Sequence, residues 1–447
     1  MASAGLAGQN HRIENSCSGV ILLFMIETRT SILPPLSTIK RHLPAGDPVD
    51  IERTLASAWS EKGLAAQSAG KNIAIGIGSR GVARISEIAA CLARLVKDSG
   101  GYPFIVPAMG SHGGGTAGGQ LEVLAGLGVT EDSVGCPLRA TMDVVVVGRT
   151  EQGWPLHLDR NVAEADALIV ANRIKVHTDF HGPHESGLLK MLAIGLGKER
   201  GAAWIHRYGV PGLREMMPQI GTALLQHVNL LAGVATIEDG YHRPVELRVF
   251  GADDLVVGEQ GMLQRSRELM PRLPVDDIDL LVIDRMGKEI SGAGMDTNII
   301  GRWMMEGEPE PEAPRVRAIV VLDLTEATHG NATGIGLADF MTSRLYEKID
   351  LPLTTLNVFT SGGLLRGKLP LVYEDDEETI DMALRHVFRK NPEDRDSARV
   401  VRIGSTLDLE TVQVSASILG DIQDSPDLIS TTEPCTPEWH DGRLTPL

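Results

Sequence analysis

Residues 105–119 read IVPAMGSHGGGTAGG. A β-type apolar run gives way to a cluster of glycines around His112, and QLEVLAGLGV follows with helical character. Strand, glycine turn and helix in that order form the unit of a parallel α/β layer, because the helix must carry the chain back across the sheet before the next parallel strand. The unit also occurs upstream, where NIAIGIGSRG (72–81) passes from an apolar run into a glycine turn and a helix is expected from Ile85 to Lys97. Further strands at 143–148 and 167–172 (ALIVAN) alternate with helices at 119–127 and around 160–165. The pattern predicts an α/β fold with mainly parallel sheets, Rossmann-like in its N-terminal part, with functional residues on the loops after the strand C-termini.

A second unit is expected to begin after MPRLPVDD, where prolines and acids read as a linker. IDLLVID (278–284) and AIVVLDL (318–324) are its first strands, with helices at 338–348 and 377–388 and a strand-rich segment ending near 420. The expected organisation is an extension at 1–24 with Met25 as an alternative start, a cofactor-binding α/β domain at 25–270, a second α/β domain at 275–420 and a disordered polar tail at 421–447. Two such domains place the active site in the cleft between them.

Composition narrows the function. The 447 residues are 43% hydrophobic and 23% charged, with a net charge of −17. A pI near 5.2 and the lack of a basic cluster argue against nucleic acid and favour small-molecule chemistry. Cys17, Cys91, Cys136 and Cys435 form no C-x-x-C pair, which excludes a zinc ribbon and points to a reducing compartment. GVILLFMI (19–26) is too short for a membrane span and lacks the flanks of a signal peptide, so a cytoplasmic protein is expected.

The letters from Gly113 and from Gly76 both satisfy G-x-G-x-x-G. Neither is followed at the right distance by an acid ending a second strand, so a dinucleotide site is not supported. What remains is a pair of turns whose backbone N–H groups can approach an anion, with Arg80 able to clamp a carboxylate. His177, His181 and His184 suggest a zinc triad, but Gly182–Pro183 interrupts the helical face that such a site requires. Lys190 is the only charge in SGLLKMLAIGLG, so desolvation should lower its pKa and free its amine for covalent chemistry. A lysine snorkelling to water is the alternative.

GSRG, MGSHGGG, ANRIKVHTDFHGPHESGLLKML and the spacing to IHRYG together resemble the nickel-dependent lactate racemase family, in a divergent branch, over residues 30–420. The resemblance implies a nickel-pincer nucleotide, a pyridinium-3,5-bisthiocarboxylic acid mononucleotide with nickel, attached covalently to Lys190. It implies His206, 16 residues later, as the nickel ligand, His112 and His177 as general acid/base residues, and Arg80, Gly110 and Ser111 at the cofactor. Arg80 would also hold substrate. Reversible hydride transfer at a 2-hydroxy acid needs one base on each face, and neutral histidines suit that task near pH 7. The implied activity is a racemase or epimerase of a 2-hydroxy acid, with cofactor-synthesis enzymes as partners, and a homodimer is the expected assembly.

The resemblance departs in two places. The spacing from His177 to Lys190 is longer than in lactate racemase, which leaves His181 and His184 as rivals to His177. The second domain of lactate racemase also contributes a lysine and a glutamine from a segment corresponding to GMDTNIIGRWM, and neither is at the matching places here. Lys288, Asp296, Asn298 and Arg302 are the candidate replacements at the substrate, with THGNATGIGLADF (328–340) a further candidate lining of the cleft. The alternative functions are a zinc-dependent hydrolase on His177, His181 and His184, or a non-catalytic nucleotide-binding homologue.

Overall fold

The computed structural model describes residues 32–79, 81–445 and 447. The expected α/β class with mainly parallel sheets is what forms. In chain order the strands are β1 (Leu36–Arg41), β2 (Asn72–Ile77), β3 (Tyr102–Pro107), β4 (Val144–Arg149), β5 (Pro155–Asp159), β6 (Ala167–Arg173), β7 (Leu230–Glu238), β8 (Pro244–Phe250), β9 (Asp277–Met286), β10 (Arg315–Leu324), β11 (Phe340–Thr342), β12 (Leu371–Tyr373), β13 (Val400–Ile403), β14 (Thr411–Ser415) and β15 (Leu428–Thr431). One sheet has five strands in the order β3-β2-β6-β7-β8, and the larger has eight in the order β12-β11-β10-β9-β13-β14-β1-β15. The pairs β3–β2, β2–β6 and β6–β7 are parallel and β7–β8 is antiparallel. In the larger sheet the run from β12 to β13 is parallel, and β14, β1 and β15 close it antiparallel.

The central strands of the smaller sheet are near-continuous apolar runs because both faces are covered. Ala74, Phe104, Val106, Leu168 and Val170 face one core. Ile73, Ile75, Ile105 and Ile169 face the other. The amphipathic helix Ile85–Asp98 buries Ile85, Ile88, Leu92 and Val96 against that second face. Since β2, β3 and β6 run parallel, their C-terminal ends lie on one edge of the sheet. The turns after Ile77, Pro107 and Arg173 therefore converge, which brings GSRG, MGSHGGG and the 174–187 segment together.

Four expectations need correction. The strand expected at 143–148 does not join the parallel layer. It forms a separate antiparallel hairpin, β4 with β5, because only a short turn connects the two. β1, placed by its position in the N-terminal domain, pairs instead with β14 and β15 of the other sheet. The segment expected to be a disordered tail contributes β15 and a small hairpin of Trp439–His440 with Arg443–Leu444, which buries Leu444 in the core under the larger sheet. The helix expected at 338–348 is split, its first part being β11 and its second a short helix at Ser343–Glu347. The extension expected at 1–24 and its alternative start at Met25 lie outside the described residues. No helix among the described residues is long and apolar enough to cross a membrane.

Candidate active site

Lys190 ends a short helical turn, Leu188–Lys190, that follows Gly187 after the long loop from β6. Buried Glu259, on the helix Leu255–Glu268, accepts the N–H groups of Leu188 and Leu189 and so caps this turn. Its other oxygen lies 2.9 Å from His184 Nδ1, and His184 Nε2 meets Gln260 at 3.1 Å. A side chain on residue 187 would bring a Cβ to 2.6 Å from the Glu259 carboxylate, which would have to shift from its capping position. After Lys190 the chain opens into a π-helical turn, Met191–Gly195, a rare form often found at functional sites.

His177 Nε2 lies 2.7 Å from Lys190 Nζ. Its Nδ1 accepts the Asp179 N–H at 3.1 Å. A neutral imidazole whose Nδ1 lone pair is used carries its proton on Nε2. It then donates to Lys190, which must accept through an unprotonated amine. Burial lowers Lys190 from 10.5 to about 8 against the attraction of Asp179 and Glu185, so the unprotonated amine that this tautomer needs becomes the major form only above that pH. Burial, and next the charge of Lys190, push His177 well below its ordinary value. Burial and then Lys190 also lower His206, at the end of the helix Lys198–His206, from 6.5 to about 4. Lys190, His177 and His206 thus form one coupled group.

Asp179 is the anion of this group. Burial works against its ionisation, yet His177 and the ion-paired guanidinium of Arg366 hold its carboxyl well below the usual range. Arg366 is itself buried and donates to the Thr178 carbonyl (2.9 Å) and the Trp303 carbonyl (2.6 Å). From the same side of the cleft, Thr297 Oγ1 donates to the Thr178 carbonyl (2.6 Å) and Asn298 Nδ2 to the His177 carbonyl (3.0 Å). Glu185 accepts the His177 N–H at 2.6 Å and an Arg267 N–H at 2.6 Å. Burial would raise Glu185, but its hydrogen bonds from His181, His177 and Gly182 bring it down.

His112 stands on the neighbouring strand-end turn, with Nδ1 2.5 Å from Ser79 Oγ of the GSRG loop. The turn is held from below by Gln120, whose Nε2 donates to the Gly110 carbonyl at 2.9 Å and the His112 carbonyl at 3.4 Å. Gln120 Oε1 accepts from fully buried Lys198 at 3.0 Å, and Lys198 lies 3.1 Å from Asp159. The Gly110 N–H donates to the Gly195 carbonyl at 3.0 Å, so the His112 turn is joined directly to the π-helical turn after Lys190. Gly113 has φ +65°, and a Cβ there would meet the Gly119 backbone at 2.4 Å. The glycine at this position thus answers a backbone requirement of the turn itself. The Ser111 carbonyl accepts the Gly115 N–H within the same turn.

Of the remaining expected residues, Arg80 lies outside the described residues. Lys288 Nζ donates to the Gly292 carbonyl at 2.8 Å. Lys288 also lines a cleft cavity of about 400 Å³ with Gly81, Arg173, Lys175 and Asp296. Lys175 is lowered to about 8 by burial and then by Arg173. Asn298 and Arg302 are engaged with protein groups, Asn298 with the His177 loop and Arg302 with Asp339 at 2.8 Å. The three histidines of the zinc alternative do not converge. His177 meets Lys190, His181 meets Glu185 and the edge of Trp303, and His184 is buried between Glu259 and Gln260. Among the described residues no group of three His, Cys, Asp or Glu side chains is placed to hold a metal ion. The protein donor best suited to a soft metal beside Lys190 is the neutral imidazole of His206, so further donors would have to come from a bound group.

Sequence reasoning missed Asp179, Arg366, Glu259 and the Lys198–Asp159 pair. Asp179 was within reach, being two residues from His177, whereas the other three act through contacts between distant segments.

A family profile described as a domain of unknown function (DUF362) matches residues 77–263, a span that contains His112, His177, Lys190, His206 and Glu259. A search of curated proteins gives no match. Among solved structures, the lactate racemase apoprotein from Thermoanaerobacterium thermosaccharolyticum is similar at 14% identity with a TM-score of 0.49, covering 83% of this chain and 99% of that one. A Thermotoga maritima protein solved in a structural genomics programme is similar at 14% identity with a TM-score of 0.43, covering 62% of this chain and 71% of that one.

Proposed function

We propose that the protein is an isomerase, a racemase or epimerase of a 2-hydroxy acid, that carries a nickel-pincer nucleotide on Lys190. The observation that carries the reading is the contact of Lys190 Nζ with His177 Nε2, whose tautomer requires an unprotonated amine. A desolvated lysine with a lowered pKa presents more neutral amine than an ordinary one and is suited to covalent attachment. His206, held neutral, offers its lone pair to nickel. The motif spacing from Lys190 to His206 supports the same pairing.

When bound, the group supplies a pyridinium carbon that accepts and returns hydride. This chain's residues do the remaining work. Attachment at Lys190 frees His177 Nε2 to exchange a proton with a substrate hydroxyl, and the Asp179 carboxylate, with an oxygen 3.9 Å from Nδ1, can take over that side of the ring. His112, fixed by Ser79, serves the mirror substrate from the adjacent turn. Arg80 is assigned to the substrate carboxylate, and the cavity lined by Lys175 and Lys288 offers room for the remainder of a larger hydroxy acid.

The test is intact mass spectrometry of protein from cells that also make the cofactor. A mass addition present in the wild type and absent in Lys190→Ala is expected. An unmodified mass in both would overturn the proposal, and an addition with no inversion of any 2-hydroxy acid in a panel would reduce it to nucleotide binding.

A further inference from the structure

A second cavity, of about 240 Å³, lies apart from the Lys190 group, where the linker that precedes β9 borders the end of β1 and the segment leading into β15. Arg41, Arg272 and Asp427 face it, beside Leu273 and Leu428. Arg41 ends β1 at the point where the β1–β15 register shifts between Lys40 and Arg41. Only 9% of Arg41 is exposed, and its Nε is buried with no hydrogen-bond partner among the described residues. Its guanidinium makes no ion pair there, although Asp427 is close enough to favour its charge against a dominant burial effect. Arg272, exposed on the linker, likewise makes no ion pair among the described residues.

A buried guanidinium without a counter-ion is costly, and its fork of donors matches the oxygens of a phosphate or carboxylate. Two arginines against one aspartate leave this cavity with excess positive charge inside a chain of net charge −17. We propose that the cavity binds a small oxyanion, a phosphate or carboxylate group, between Arg41 and Arg272. The ligand ties the linker to the two strands beside it, and this site is independent of the chemistry at Lys190.

Calorimetric titration of the full-length protein with inorganic phosphate and, separately, with succinate tests the assignment. The wild type binds at least one of them. Arg41→Gln weakens binding about tenfold or more, as expected for loss of a charge-assisted bond, and Arg272→Gln weakens it less. Asp427→Asn tightens it, and Lys190→Ala leaves it unchanged, which separates this cavity from anion binding at the other site. Tighter binding of phosphate identifies a phosphate site, and tighter binding of succinate a carboxylate site. Should Arg41→Gln fail to fold, the opposite effects of Arg272→Gln and Asp427→Asn decide the question. Absence of binding by both anions, or affinities unchanged in the Arg272 and Asp427 variants, overturns the proposal.

Discussion

Lys190 is half ionised near pH 8, about where a mild acylating reagent begins to distinguish it from surface lysines. Its labelling, followed by peptide mass spectrometry, should rise through that pH, whereas an ordinary lysine rises near 10.4. A midpoint near 10 would contradict the neutral-amine geometry. The sign for stability follows from linkage. The folded state holds Lys190 below its unfolded value, so the unfolded chain binds more protons between those values and stability rises with pH across them. For Asp179, depressed in the folded state, the contribution is complete above the unfolded carboxylate value and is lost as pH falls through the folded one. Lys190 was legible in the sequence because a single charge inside an apolar run must be desolvated. Asp179 was within reach, two residues from His177, but its ion pair was not, since Arg366 is 187 positions away and only the fold brings it close.

The elements that aim these side chains depend on a few buried contacts. Glu259 caps the turn that carries Lys190 and holds His184 at the same time. Glu259→Ala should therefore cost about 3 kcal/mol or more, because it strands buried partners, and the Lys190 labelling midpoint should move from its wild-type position. A thermal melt and the labelling curve together check this, and an unchanged curve would show that the cap does not orient Lys190. At the other turn, Gly113→Ala must strain a left-handed residue and press on the Gly119 backbone. A loss of about 1–3 kcal/mol is expected, with faster amide exchange across residues 110–116. The alternation of strand and helix was legible because hydrophobic period and glycine turns are local. The misplacement of β4, β1 and β15 has a physical reason: an apolar strand records that it is buried, but its partner is set by loop closure and by packing between distant segments.

At the scale of the whole molecule, the smaller sheet supplies the reactive groups and the segments attached to the larger sheet hold them in place. Arg366, Thr297 and Asn298 all reach the 177–179 loop, so the contact across the cleft and the charge of the site depend on the same segment. Arg366→Ala tests that coupling. Removing the guanidinium leaves the partly buried Asp179 without the arginine it pairs with, which should destabilise the protein by about 3 kcal/mol. It should also let Asp179 act more strongly on its remaining neighbours. Because that carboxylate raises the affinity of Lys190 and His177 for protons, the Lys190 labelling midpoint should shift above 8, and covalent loading at a fixed neutral pH should fall. Arg366→Lys keeps a positive charge but loses the fork, so it should retain much of the midpoint while losing the bonds to the Thr178 and Trp303 carbonyls. A midpoint that stays near 8 in Arg366→Ala, alongside the expected loss of stability, would separate the two roles and assign Arg366 to holding the sheets together alone.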